Sequence, residues 1–228
     1  LLEEDVSASL GLGVDWVDLS LPASPGLAAH KLRLTDMQLQ QRLRLLCQRL
    51  NDAGIKVCIG LEDASRTPMP RLLQLAEWAA AAGASRLRYA DTLGILEPFS
   101  AERLLRQLVS ASPLPIEMHA HNDFGLATAN TLAAIRAGVA SVNTTVNGLG
   151  ERAGNAPLDE VVVAAEELLA VDTGVNLALL PQLATAVARA SGEHLNRRKS
   201  LSGRDVFTHE SGTHVAAMLR DPASYSAI

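Results

Sequence analysis

HAHNDFGLATANTLAAIRAGVASVNTTVNGLGERAGN, residues His119–Asn155, runs from a strand end through an amphipathic helix into a second strand and a glycine-rich turn. Pro115–His121 reads as the first strand. Side chains two apart on a strand share a face, so Glu117, His119 and His121 point one way and Ile116, Met118 and Ala120 the other. Two imidazoles therefore converge on one point. Neutral imidazole is the commonest transition-metal ligand, and two from one strand leave positions for carboxylate, amide, water or substrate. The plain alternative is a pair of hydrogen-bonded core histidines. A face that stays polar to the end of the strand favours an open metal site.

The same unit recurs on both sides of this stretch. An amphipathic helix ends at a glycine, a short strand follows, and a polar loop opens the next helix. The expected strands are Val14–Leu21, Ile55–Leu61, Arg86–Ala90, Pro115–His121 and Ser141–Val146. Alternation with helices makes them parallel and helix-covered. One parity is polar in each: Asp18 and Ser20; Gly60 and Glu62; Arg88 and Thr92; His119 and His121; Asn143, Thr145 and Asn147. An open doubly wound sheet would make central strands nearly continuous apolar runs. Polar residues gathered at strand ends fit a (β/α)8 TIM barrel, which carries its chemistry at the C-terminal ends of the strands.

Five strands do not close such a barrel, and Leu1–Leu10 reads as a helix that would follow an earlier strand. The expectation is an α/β chain holding about the last five β/α units of a TIM barrel over residues 1–171. Residues 172–228 then begin a C-terminal helical region, after amphipathic helices at Leu158–Ala170 and Leu179–Ala190. A further helix opens near Ser211, with His209 and His214 close to its start.

Composition narrows the classes. The chain has 228 residues, 48% of them hydrophobic, enough for a large core, and its formal net charge of −5 gives nucleic acid no footing. Arg197-Arg198-Lys199 is the only basic triplet and reads as a solvated run rather than a phosphate site. Two cysteines, Cys47 and Cys58, make no disulfide framework and suit a reducing, cytoplasmic setting. Neither a signal peptide nor an apolar run of membrane-spanning length is visible.

Two motifs invite other readings. Gly148-Leu149-Gly150-Glu151-Arg152-Ala153 satisfies G-x-G-x-x-A between a strand and a helix. A dinucleotide site would follow an apolar strand, whereas Asn143, Thr145 and Asn147 line this one. The glycines are better read as a tight turn that brings Glu151, Arg152 and Asn155 to the barrel mouth. His209-Glu210 with His214 resembles a zinc-protease pair, but HExxH places its histidines at i and i+4. Here they stand at i and i+5 and would diverge on a helix, so one of them reads as an acid–base group. Glu62 ends a strand on the polar parity and is a candidate for proton chemistry, while neighbouring Asp63 reads as a helix cap. Thr92, in Asp91-Thr92-Leu93-Gly94, offers a hydroxyl for a substrate carboxylate, with turn formation as the alternative.

HAHNDFGLATAN followed by NTTVNGLGERAGNAPLDEV closely resembles the metal-dependent TIM-barrel family of acyl-CoA aldol and Claisen enzymes. That family includes homocitrate, 2-isopropylmalate and citramalate synthases and hydroxymethylglutaryl-CoA lyase. Ser20-Leu21-Pro22, Glu62-Asp63-Ala64-Ser65-Arg66 and FTHESGTHV look most like homocitrate synthases, particularly the nitrogenase-associated type. The resemblance covers essentially the whole chain. It implies condensation of acetyl-CoA with 2-oxoglutarate, with 2-isopropylmalate or citramalate synthesis, on other 2-oxo acids, as the alternatives. An inactive half-barrel that only binds metal or a partner is the reading from another class.

His119 and His121 are then ligands of a divalent ion, Mg2+, Mn2+ or Zn2+, with Asn155 at or near it. Thr92 matches a residue that binds the 2-oxo acid, and Ser20 and Arg88 complete the substrate-binding set. Glu62 and His214 match acid–base groups, the histidine reaching into a neighbouring subunit, so the resemblance implies a homodimer. The chain departs from the pattern in lacking the family's first-strand arginine and acidic metal ligand, which a complementing N-terminal half would supply. Lysine-pathway homocitrate synthases carry arginine at Cys58 and serine at Gly60, and Thr213 replaces an aliphatic residue.

Overall fold

The computed structural model describes residues 3–31 and 33–225. In chain order it places α1 (Glu3–Ser9), β1 (Trp16–Pro22), α2 (Pro25–Lys31), α3 (Asp36–Asp52), β2 (Lys56–Glu62), α4 (Met69–Ala81) and β3 (Arg86–Asp91). There follow α5 (Pro98–Ala111), β4 (Ile116–Ala120), α6 (Ala127–Ala137), β5 (Ser141–Asn143), α7 (Leu158–Leu169), α8 (Leu180–Ser191) and α9 (Gly212–Arg220). Local chemistry sets several boundaries. Thr35 and Gln38 form a capping box at the start of α3. Gly138, at φ 93°, closes α6 in the left-handed region that favours glycine.

The five strands form one parallel sheet in the order β1-β2-β3-β4-β5. Spatial order that never reverses, with right-handed crossovers, puts the crossover helices on one side of the sheet. The odd-numbered side chains of β1 to β3 (Leu19, Leu21, Val57, Ile59, Leu87, Tyr89) and Ile116 and Met118 of β4 are buried there, among leucines of α3, α4 and α5. Burying each such leucine is worth about 1.5–3 kcal/mol, which fixes the strand parity. The opposite parity forms the concave face. This is an arc of the TIM-barrel fold, as the polar parity led us to expect.

Register stacks that concave face in layers. Ser20, Gly60, Arg88, Glu117 and Ser141 lie opposite one another in turn, and Ala90, His119 and Asn143 form the next layer toward the strand ends.

The fifth strand is shorter than expected. It stops at Asn143, because Thr145 pairs instead with Pro157 in an isolated bridge and Val146–Gly148 forms a 3-10 turn. Asn147 takes φ 61° and turns its amide to the Ala184 carbonyl of α8 at 2.9 Å. It therefore does not share the concave face with Asn143. Of the expected helix Leu1–Leu10, Glu3–Ser9 is helical, and Leu1 and Leu2 lie outside the described residues. Among the described residues no helix is long and apolar enough to cross a membrane.

Candidate active site

β4 delivers His119 at its end and His121 just past it. Their Nε2 atoms stand 2.9 Å apart, with the rings edge to face at 4.8 Å between centroids. Burial, then the neighbouring His121 and Arg88, pushes His119 down to about 4. Burial and Arg152 lower His121 as well. Both rings are therefore neutral near pH 7, the form that donates a lone pair to a metal.

Asn155 is held beside this pair by an antiparallel bridge to His121, its side-chain amide donating to the Leu149 carbonyl at 2.9 Å. The donor set fits a divalent ion in part. Adjacent ligands of one ion, each about 2.1 Å from it, lie roughly 3 Å apart, as these two nitrogens do. The Nδ1 of His119 is buried without a hydrogen-bond partner, and the Nε2 contact between the two rings is the hydrogen bond that an ion would replace. Among the described residues no third His, Cys, Asp or Glu joins the pair, which leaves the Asn155 amide as the available oxygen donor.

The loop carrying Asn155 explains the glycine motif. The Asn155 N–H donates to the Gly148 carbonyl at 3.0 Å. At Gly154, φ 84°, a Cβ would sit 2.1 Å from that same oxygen. The turn folds onto itself so tightly that only glycine fits, with no cradle for a pyrophosphate. It projects Arg152, which donates to the Thr92 carbonyl at 2.6 Å, to Asp123 at 2.9 and 3.0 Å and to the His121 Nδ1. One guanidinium thus ties together the loops after β3, β4 and β5.

Glu62, at the end of β2, accepts from the Ser20 hydroxyl at 2.6 Å and from Lys31 at 2.6 and 2.8 Å. Partial burial raises its carboxyl, but the Lys31 and Ser20 hydrogen bonds outweigh that and hold it below the ordinary carboxylate range. Arg88 lies one layer below His119, between Asp18 at 3.0 Å and Glu117 at 2.5 Å. The Thr92 hydroxyl accepts the Asp63 N–H at 2.8 Å, and Asp91 closes the turn to Gly94 and caps the Ile95 and Leu96 amides. Both expected roles of that segment, hydroxyl at the mouth and turn, are therefore physically compatible.

Asp63 does not cap the helical turn that follows it. Its backbone is left-handed, and its carboxylate is buried against Arg66 and the Ser24 hydroxyl. The expected divergence of His209 and His214 is also corrected. α9 starts at Gly212, so His209 stands before the helix and its ring lies 6.0 Å from that of His214, which stacks on Tyr225 at 4.3 Å. No hydrogen bond among the described residues joins His214 to Glu62 or His119. The basic triplet is largely paired, Arg197 with Asp205 and Lys199 with Asp159.

The sequence reading missed Lys31 and the full reach of Arg152. Lys31 ends a loop helix with no periodic signal linking it to a carboxylate 31 positions later.

Residues 1–187 match the model of the HMGL-like family. The chain belongs to that family. It is 44% identical over 221 residues to homocitrate synthase 1 of a Nostoc species, covering 97% of this chain and 59% of that protein. It is 43% identical over 222 residues to 2-isopropylmalate synthase 2 of Caldanaerobacter subterraneus, again 97% of this chain and 58% of that one. A putative (R)-citramalate synthase of Methanopyrus kandleri is 40% identical over 231 residues, 100% of this chain and 45% of the other.

The HMGL-like chain thus spans about half to three-fifths the length of these relatives. Among solved structures, hydroxymethylglutaryl-CoA lyase of Pseudomonas aeruginosa superposes with a TM-score of 0.73 at 19% identity, over 95% of this chain and 72% of that one. An HMG-CoA lyase of Acinetobacter baumannii in complex with coenzyme A and 3-methylmalate gives 0.77 at 21%, over 91% and 72%. At these identities the likeness is one of fold.

Proposed function

We propose that the chain is the C-terminal five β/α units, residues 1–171, and the start of the helical region, 172–228, of a homocitrate synthase of the nitrogenase-associated type. The reaction is a Claisen-type condensation of acetyl-CoA with 2-oxoglutarate. The observation that carries this reading is the His119–His121 pair at the end of β4, with Asn155 beside it and Glu62 and Thr92 on neighbouring strand ends.

His119, His121 and Asn155 would hold a divalent ion, Mg2+, Mn2+ or Zn2+. When bound, it supplies Lewis acidity to the keto group of the 2-oxo acid. Thr92 holds the 2-oxo acid's carboxylate at the mouth. Arg88 and Ser20 serve a distal carboxylate. Arg88 is a guanidinium on the concave face one layer below the histidines, adjoining Cys58, where lysine-pathway enzymes place their own arginine.

Glu62 is kept ionised and oriented by Lys31 and Ser20 and takes or returns the proton at the acetyl methyl carbon. His214 is the second acid–base group. Its stacking on Tyr225, without a hydrogen bond to Glu62 or His119 among the described residues, suits a role in the neighbouring subunit of a homodimer. The buried thiols Cys47 and Cys58 suit a reducing cytoplasm.

A 2-isopropylmalate or citramalate synthase is the second reading, because relatives of each kind match at similar identity. Calorimetric titration with 2-oxoglutarate, 2-oxoisovalerate and pyruvate tests both. Binding is expected to need Mn2+, to be lost in His119→Ala and to be tightest for 2-oxoglutarate. Tighter binding of 2-oxoisovalerate or pyruvate would transfer the assignment to the other synthases, and metal-independent binding would sink the site itself.

A further inference from the structure

Asp18, on the concave face, competes for the guanidinium that would serve a substrate's distal carboxylate. It lies on β1 in the layer below Ser20, opposite Cys58 and, beyond that, Arg86. Its side chain leans out of that layer across Gly60, where a Cβ would sit 2.6 Å from Asp18 Oδ1. The room left by glycine at residue 60 is therefore the room that the Asp18 carboxylate takes. From there it reaches Arg88 Nη1 at 3.0 Å, while Glu117 holds Arg88 Nε at 2.5 Å.

Two cations and two anions balance along these strands, Arg86 and Arg88 against Asp18 and Glu117. A substrate carboxylate brought to Arg88 makes a third anion for the same two cations, and like charges in a partly desolvated site disfavour full ionisation of all three. One added proton removes the excess. Glu117 is a poor seat for it, being buried and accepting from Arg88, from Arg86 at 3.1 Å and from the Ser141 hydroxyl at 2.9 Å. Asp18 is the better one. Its side chain is 26% exposed, and burial already lifts its carboxyl above the ordinary value against the pull of Arg88 and the Cys58 thiol. The other groups around it keep their charge states near neutral pH. Burial pushes the Cys58 thiol up to about 12 and His119 down to about 4, so both stay neutral. Lys56 lies over the Trp16 ring, and Glu62 is held by Lys31 and Ser20.

We propose that Asp18 is a specificity-determining residue, which admits a carboxylate at the far end of the substrate only together with one proton. The proton comes from solvent, resides on the Asp18 carboxyl and is donated from there to the substrate carboxylate, which also accepts from Arg88. A 2-oxo acid with an uncharged tail needs no such proton. The inference rests on the 2-oxo acid reading and adds to it the chemistry of the tail.

The matched probes are 2-oxoglutarate and 2-oxovalerate, which share a head group and a chain length and differ in the terminal carboxylate. Each is titrated calorimetrically into the Mn2+-loaded chain in two buffers of different ionisation enthalpy, which counts the protons taken up. 2-Oxoglutarate is expected to take up about one proton more than 2-oxovalerate, and its affinity to fall by up to about tenfold per pH unit above neutrality. Asp18→Asn, which offers an amide N–H in place of the acid O–H, should erase the proton difference and tighten 2-oxoglutarate about tenfold at pH 8. The proton count of the unaltered chain decides the matter even if that variant fails to fold. Equal proton counts for the two probes, or weaker 2-oxoglutarate binding by Asp18→Asn, would overturn the proposal. Binding of 2-oxovalerate without binding of 2-oxoglutarate at pH 6 would overturn it while leaving the 2-oxo acid reading in place, and binding of neither probe would sink both.

Discussion

Asp63 stands at φ 60° in a position glycine or asparagine more often fills, and its carboxylate is held by Arg66 and Ser24. Burial raises its carboxyl, but the Arg66 and Ser24 hydrogen bonds outweigh this and bring it below the ordinary range. The folded value then lies below the unfolded one of about 3.9, so its stabilisation is complete above that pH and is lost as pH falls through the folded value. Asp63→Asn should cost about 1–2 kcal/mol at pH 7, discounted for the exposed Arg66 partner. Urea unfolding of both proteins at neutral and acid pH checks the sign, because the gap between them must narrow on acidification. A gap that stays constant would mean that shape, not charge, holds this turn.

At the level of elements, the Gly148–Asn155 turn sets the site more than any strand does. Gly154→Ala adds a left-handed penalty and a methyl 2.1 Å from the Gly148 oxygen, a cost of about 2–4 kcal/mol. Gly192→Ala, also left-handed but facing open space, should cost only about 1–2 kcal/mol. The first variant should also lose Mn2+ affinity, since Arg152 and Asn155 flank the glycine, and the second should keep it. Equal losses in a paired calorimetric titration would detach the turn from the site.

The same elements show what the sequence made legible. Period-two alternation gave the concave face from Asp18 to His119, because burying one parity against helices leaves no freedom in the other. It misplaced Asn147, since the chain leaves the sheet at Asn143 and a bridge to Pro157 overrides the alternation. The sequence was silent on Lys31 and on the partners of Arg152, which lie on other loops at separations no local period encodes. The helix start near Ser211 was legible, but helical spacing misjudged His209, which precedes the helix and so can turn its ring toward His214.

Over the whole molecule, β1 and β5 are each paired on one side only, so two strand edges carry unpaired backbone groups. Large apolar side chains are exposed at both ends of the arc. Leu12 and Val14 lead into β1, and Leu168, Val171, Leu179 and Leu183 lie on and between α7 and α8. Apolar side chains exposed beside unpaired strand edges favour association. Burying apolar area is favourable at roughly 25 cal/mol per Å² and, unlike ion pairing, strengthens with sulfate. The chain is therefore expected to self-associate, with an average mass in sedimentation that rises with protein concentration and rises further with added sulfate. Leu168→Glu should weaken that association severalfold by placing a charge at one end of the arc, whereas Glu77→Gln, a charge change on α4 at its middle, should not. A single species of monomer mass at all concentrations would show that the two ends of the arc are stable in water. The apolar side chains would then be scattered exposures of the ordinary kind.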